Sequence, residues 1–241
     1  MSVDTLLHVE NVSRTFGGVT ALDDVSLTID RGELVGLIGP NGAGKTTLIN
    51  VVSGAEKPSS GQVHFDGRSA AGSLERSVDR GIVRTFQTPR AFSGLTVREN
   101  LRIARSSPSA RSSTPTIPAD VLHTIQGGLE PWMGSVVADL PFGVLRRLSI
   151  VLALSTNPTL LLMDEPCVGL TMHEVEELAA VIRTLHGHGL TILLVEHNVA
   201  FVMQLAVRVA VLHKGALLFT GTPEECRANS DVQDVYLGRT A

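Results

Sequence analysis

The segment Gly39-Pro40-Asn41-Gly42-Ala43-Gly44-Lys45-Thr46 constrains this chain more than any other part of it. It fits the pattern G-x-x-x-x-G-K-[S/T], and its setting is as informative as its letters. The apolar run 34–38 before it suits a strand buried on both faces. Residues 45–52 after it read as a helix. Gly42 and Gly44 let the backbone close around phosphate oxygens. The loop amides then point inward at a helix start, where an anion is favoured. Lys45 brings a positive charge to β- and γ-phosphates, and the Thr46 hydroxyl suits Mg²⁺. Gly39, Pro40, Asn41, Gly42, Ala43, Gly44, Lys45, Thr46 and Thr47 are therefore expected to cradle a nucleotide.

The rest of the pattern places that loop in a larger unit. Residues 6–12 and 25–30 alternate apolar and polar, as half-buried strands do, with turns at Gly17-Gly18 and Arg31-Gly32. Residues 63–66 read as a further short strand ending in an Asp-Gly turn. Apolar strands are expected at 160–163 and 191–195. Between them lies an amphipathic helix near 173–186, with Val175, Leu178, Val181, Ile182 and Leu185 on one side. Strands alternating with helices predict a parallel sheet covered on both faces, with a small antiparallel layer in front of it. From Val97 to Thr156 the pattern is helical where it is regular. The Ser/Pro-rich stretch 105–119 interrupts it and reads as an exposed loop.

Hydrophobic residues make up 43% of the 241 and charged residues 18%, a balance that supports a sizeable core and excludes global disorder. The net charge of −4 argues against a nucleic-acid partner, which usually calls for a basic excess. Cys167 and Cys226 are too few for a disulfide framework and read as free thiols in a reducing compartment. The N-terminal stretch MSVDTLLHVE lacks the regions of a signal peptide. The longest greasy stretch, Val151 to Met163, is broken at Ser155–Pro158, short of the ~18 residues of a membrane span. Any membrane role is expected to run through partners.

Thr159–Pro166 carries four apolar residues into two carboxylates, Asp164 and Glu165, at the C-terminal edge of a buried strand. Ligands of α/β sheets bind at that edge. Asp164 could hold Mg²⁺ through water, and Glu165 could polarise an attacking water. Alone, such a pair reads equally as a cap or turn; beside the phosphate loop its functional reading gains. His197 after TILLVE, Gln87 in RTFQTPR, and Phe16 each have an ordinary alternative: a structural histidine, an unremarkable glutamine, a core or turn aromatic. Their weight comes from order and spacing.

That order (Phe16, 39–46, Gln87, 140–144, Asp164–Glu165, 168–171, His197) resembles the ATPases of ABC transporters over nearly the whole chain. The resemblance implies an α/β fold: a P-loop NTPase core with an N-terminal antiparallel β layer and an inserted α-helical subdomain. Within a single ABC ATPase domain spanning 1–241, the β layer is expected over 1–35 and 61–67. The nucleotide-binding core is expected over 36–60, 68–90 and 157–241, and the helical subdomain over 91–156. It implies ATP and Mg²⁺ as cofactors, an adenine stacked on Phe16, and Glu165 as general base. Gln87 would be a metal ligand linked to the membrane subunits, and His197 a γ-phosphate sensor. It also implies a head-to-tail pair in which the signature Leu140, Pro141, Phe142, Gly143 and Val144 completes the partner's ATP site. No C-terminal regulatory domain is expected before Ala241.

Residues 16–27, 36–48, 84–87, 94–100 and 231–238 are similar, more narrowly, to the ATPases of branched-chain amino-acid importers. This implies ATP hydrolysis driving uptake of those or related small solutes from the cytoplasmic face of the membrane. Its implied partners are transmembrane permease subunits, a solute-binding protein reached indirectly, and a second ATPase, non-identical or a second copy. Three residues depart from the family pattern: Val144 for glutamine, Leu152 for arginine, and Thr171 for Asp or Asn. They put the surface offered to the opposite ATP in question and keep a low-turnover regulatory P-loop module as an alternative. A non-transport ABC ATPase is a further alternative, though such proteins usually carry two cassettes or long coiled-coil insertions. The absence of an N-K-x-D segment argues against a GTPase.

Overall fold

The computed structural model describes residues 4–70, 72–85, 91–106 and 116–237. The long strands β1 (Thr5–Phe16) and β2 (Val19–Asp30) form a hairpin, and β3 (Leu34–Ile38) runs into α1 (Lys45–Val52). Then come β4 (Ser60–Phe65), β5 (Arg68–Ser69), α2 (Leu74–Asp79) and β6 (Ile82–Thr85). The helices α3 (Val97–Ser106), α4 (Ala119–Gly127) and α5 (Phe142–Leu154) follow. The chain continues through β7 (Leu160–Asp164), α6 (Met172–Gly187), β8 (Thr191–Val195) and α7 (Val199–Leu205). It ends with β9 (Arg208–His213), β10 (Ala216–Gly221), α8 (Pro223–Ala228) and α9 (Ser230–Leu237).

Among the described residues these strands make two sheets. The first is antiparallel, in the order β2-β1-β4-β5, and the second has the order β10-β9-β3-β8-β7-β6. In the second sheet β9, β3, β8, β7 and β6 run parallel, and β10 returns antiparallel along β9. The antiparallel sheet takes in Arg68 and Ser69, two residues beyond the 61–67 segment expected for it, while Leu34 and Val35 belong to the parallel sheet. The expected helix near 173–186 is α6. Helix α3 runs through Arg105 and Ser106, which the Ser/Pro-rich composition had assigned to a loop. Arg105 is held there by the side chain of Gln126 on α4; residues 107–115 of that stretch lie outside the described residues.

The strand period of two sorts the central strands onto two cores. Val35 and Leu37 of β3, with Leu160 and Leu162 of β7, face the antiparallel sheet and α1. Leu34 and Ile38, with Leu161 and Met163, face the core built with α5, α6 and α7. Both sides of these strands are therefore buried, which is why their sequences run apolar without alternation. Cys167 and Cys226 are free and buried. No helix among the described residues is long and apolar enough to cross a membrane.

Candidate nucleotide site

Because β3, β8, β7 and β6 are parallel neighbours, their C-terminal ends open on the same edge of the sheet. That edge receives the glycine loop after β3, the acidic pair at the end of β7, and Glu196–His197 after β8. Arg84 lies within β6 near its end. The register locks them together: the Glu165 amide donates to Val195 O at 2.8 Å, and the Glu196 amide to Leu37 O at 3.2 Å. The topology thus brings residues as far apart in sequence as Gly39 and His197 to one edge of the sheet, where ligands of open α/β sheets generally bind.

The glycine loop caps α1 through Gly44, in the left-handed region at φ 106°. A Cβ there would meet Ala21 O of β2 at 2.5 Å, so the loop sits against the antiparallel sheet only with glycine at this position. Lys45, 5% exposed, folds back so that its Nζ donates to Gly39 O at 2.6 Å and Pro40 O at 3.1 Å. These carbonyls supply the negative ends that phosphate oxygens would otherwise offer. Burial pulls the Lys45 pKa below the ordinary amine value, and the charges of Glu165, Asp164 and Glu196 oppose that pull. A cavity of about 210 Å³ is lined by Asn41 through Thr47, Ala21 and Glu165. The expected phosphate cradle and the expected base therefore face the same space.

Asp164 and Arg84 form a buried ion pair, Oδ2 to Nη2 at 2.7 Å, and the other terminal nitrogen of Arg84 donates to Asn50 Oδ1 on α1 at 2.6 Å. This network ties the metal-binding candidate to the helix that follows the glycine loop. Glu165 adopts φ 45°, uncommon for a side chain of its size. That turn carries the carboxylate off the strand and into the cavity. The exposed hydroxyl of Thr46 and the carboxylates at the end of β7 are hard oxygen donors, the kind Mg²⁺ takes. The donor set is of the kind that ion takes, and Thr46 and Asp164 are the described residues that would hold it. Gln87, the remaining expected ligand, lies outside the described residues.

His197 stands at the same edge with its side chain 55% exposed and Nδ1 3.6 Å from Glu196 Oε2. Phe16 is found at the end of β1, beside the Gly17-Gly18 turn, 42% exposed and outside the lining of the phosphate cavity. The Arg14 guanidinium stacks 4.3 Å from its ring centre, so the ring is an open face backed by a cation.

The profile of the ABC transporter family matches residues 22–168, which contain the glycine loop, the signature segment and the acidic strand. The chain belongs to the ABC transporter family. It is 39% identical to the high-affinity branched-chain amino acid transport ATP-binding protein LivG of Salmonella typhimurium, over 97% of this chain and 98% of that one. It is 35% identical to the corresponding protein BraF of Pseudomonas aeruginosa, over the same shares. Among solved structures, the ADP conformation of MJ1267, an ATP-binding cassette of an ABC transporter, superposes with a TM-score of 0.83 at 29% identity. That match covers 98% of this chain and 99% of that one.

In this ABC cassette the signature 140–144 lies away from the phosphate cavity, at the start of α5. Pro141 is the N-cap, and the first bond inside the helix runs from the Leu145 amide to Pro141 O at 2.9 Å. The amides of Phe142, Gly143 and Val144 therefore head the helix, where an anion is favoured. Gly143 leaves room for a neighbour in its own chain: a Cβ there would come within 1.8 Å of Glu174 Oε1, so any other residue would displace the end of that side chain. The ring of Phe142 lies against Gly169, whose Cβ would be 2.8 Å from it. Val144 and Leu152 both pack against the core beneath α5. Thr171 is the N-cap of α6 in a capping box with Glu174. Threonine thus keeps the helix-starting role that Asp or Asn would fill. Sequence reasoning overlooked Arg84, Asn50 and Glu196. The signal for Glu196 was present: it is a carboxylate at the end of an apolar strand, as Asp164 is.

Proposed function

We propose that this chain is the ATP-hydrolysing subunit of an importer for branched-chain amino acids or related small solutes, working at the cytoplasmic face of the membrane. The observation that carries the reading is the shared cavity: an intact phosphate loop and Glu165 face one space, in a chain whose relatives along its full length are transport ATP-binding proteins. Lys45 and the loop amides hold the phosphates. Glu165 takes the proton of the attacking water, and His197 meets the γ-phosphate from β8. Phe16 receives the adenine, and Gln87 links the site to the membrane subunits. Thr46 and Asp164, with Gln87, would hold Mg²⁺, which when bound would offset charge on the phosphate oxygens.

The permease contact is assigned to the segment after Gln87. There Phe92 is 59% exposed, yet its backbone is pinned. The buried Asn100 side chain accepts from the Phe92 amide at 2.8 Å and donates to Phe92 O and Thr96 O at 3.1 and 3.0 Å. A rigid, exposed aromatic is a suitable anchor for a partner. The second ATPase of the pair is assigned as non-identical, because this chain's signature lacks the hydroxyl and amide side chains usual in the family.

The test is ATPase activity of the full chain assembled in vesicles with the permease subunits and a solute-binding protein. Turnover should rise when the binding protein is loaded with leucine, isoleucine or valine. A rise with another small solute would reassign the cargo. No dependence on any membrane partner would leave a low-turnover module or a non-transport ATPase.

A further inference from the structure

Glu196 lies between β8 and His197 and is completely buried. Its Oε1 accepts the Cys167 amide at 2.7 Å, and its Oε2 accepts the amides of His197 and Asn198 at 3.1 and 3.3 Å. Cys167 is the second residue after Glu165 and immediately precedes the segment 168–171. One carboxylate therefore joins the backbone that follows the base to the backbone that carries the histidine. Removing this acceptor would leave the buried Cys167 amide and the part-buried amides of His197 and Asn198 without it.

A third element stands behind this junction. Arg146 of α5 is 2% exposed; burial pulls its pKa below the ordinary value, and the charges of Glu196 and Asp164 oppose that pull. Its guanidinium carbon is 5.4 Å from the centre of the Phe142 ring, which in turn touches Gly169. The Cys167 thiol, also bonded to Glu196, is pushed up by burial and by that neighbouring charge, so it stays a neutral donor. The post-base segment and the histidine loop thus meet on one buried side chain, and the Arg146 charge of the signature helix acts on it.

We propose that Glu196 is a positioning residue for ATP hydrolysis: it fixes the His197 backbone against the segment after Glu165, so that the histidine and the base hold one geometry at the γ-phosphate. The proposal rests on the roles assigned above to Glu165 and His197. In Glu196→Gln, the single amide oxygen can serve the Cys167 amide or the His197 and Asn198 amides but not both, and the NH₂ meets N–H donors on the other side, so the junction between the two backbones is broken.

The test compares Glu196→Gln, His197→Ala and the double variant of the full chain by nucleotide affinity and single-turnover hydrolysis. Misplacement of reacting groups is costly, so Glu196→Gln should hydrolyse bound ATP at least ~10-fold more slowly, with affinity within about twofold of wild type. Residues acting as a unit are not additive, so adding it to His197→Ala should cost less than about twofold more. An unchanged rate in Glu196→Gln beside an impaired His197→Ala, or the full loss repeated in the double variant, would overturn the proposal alone. An unimpaired His197→Ala would overturn the role given to the histidine, and this proposal with it. If Glu196→Gln does not fold, Glu196→Asp keeps the charge but shortens the reach, and should show the same split between rate and affinity. If neither folds, Glu196 serves stability alone and the proposal is wrong.

Discussion

The phosphate loop and the signature segment are both glycine-bearing turns at the start of a helix, and they are built on opposite terms. In the loop, the chemistry borders a cavity: residues 41–47 line it together with Glu165, Lys45 donates to its own loop carbonyls, and Gly44 fits only because it lacks a Cβ. Little of this benefits the folded chain by itself. In the signature, the unusual residues are absorbed inward. Val144 and Leu152 pack on the core, Phe142 covers Gly169, and Glu174 fills the space beside Gly143. On the function proposed above, these departures serve the packing of the subunit while weakening what it offers a partner.

Glu165→Gln should produce the largest effect if the loop side is the working half. Loss of a general base costs about 10²–10⁴ in rate, while binding survives. Phosphate release should fall accordingly, and ATP should be retained in a paired state on size exclusion. Near-normal turnover with no added pair would remove Glu165 from the mechanism. Lys45→Ala comes next. Loss of one charged donor at a transferring phosphoryl group costs about 10²–10³, and far-UV circular dichroism should show the fold unchanged. Full turnover in that variant would break this reading of the loop.

The signature side should respond in the opposite sense and by less. Val144→Gln, alone and with Pro141→Ser, restores polar groups near a phosphate, each contributing roughly 1–3 kcal/mol where it is used. Turnover of the assembled complex should rise or its ATP-dependent closure tighten. If neither changes, the departures are merely tolerated. The smallest effect belongs to Thr171→Ala, which removes an N-cap and should lower stability by about 1 kcal/mol in thermal denaturation. Thr171→Asp, which can still cap, should leave stability near wild type; a loss as large as that of alanine would refute the capping account.

How much of this was legible in the sequence follows from locality. The strands β3, β7 and β8 and the helix α1 announce themselves through uninterrupted apolar runs and the glycine loop between them, and the site residues on their ends came with them. The expected strand at 25–30 was only part of β2, because Val19–Asp24 shows no alternation of its own; register with β1 holds it in the strand, as it holds the rest of β2. Strand β6 is four residues long and buried by β7 alone on its paired edge, too short for a period to show. The partners of Glu196 are the least legible. The Cys167 amide is 29 positions away, and a backbone amide leaves no trace in side-chain pattern. The same holds for the Arg84–Asp164 pair, 80 positions apart.

The central claim is that ATP on this chain's own phosphate loop is the ATP turned over, facing a partner with a more polar signature. It is tested most directly in a mixed pair within the assembled transporter, with the base removed from one subunit at a time. Glu165→Gln in this chain should abolish nearly all hydrolysis, whereas removing the corresponding carboxylate of the partner should leave most of it. Equal losses from the two sides, or the larger loss from the partner's side, would contradict the account.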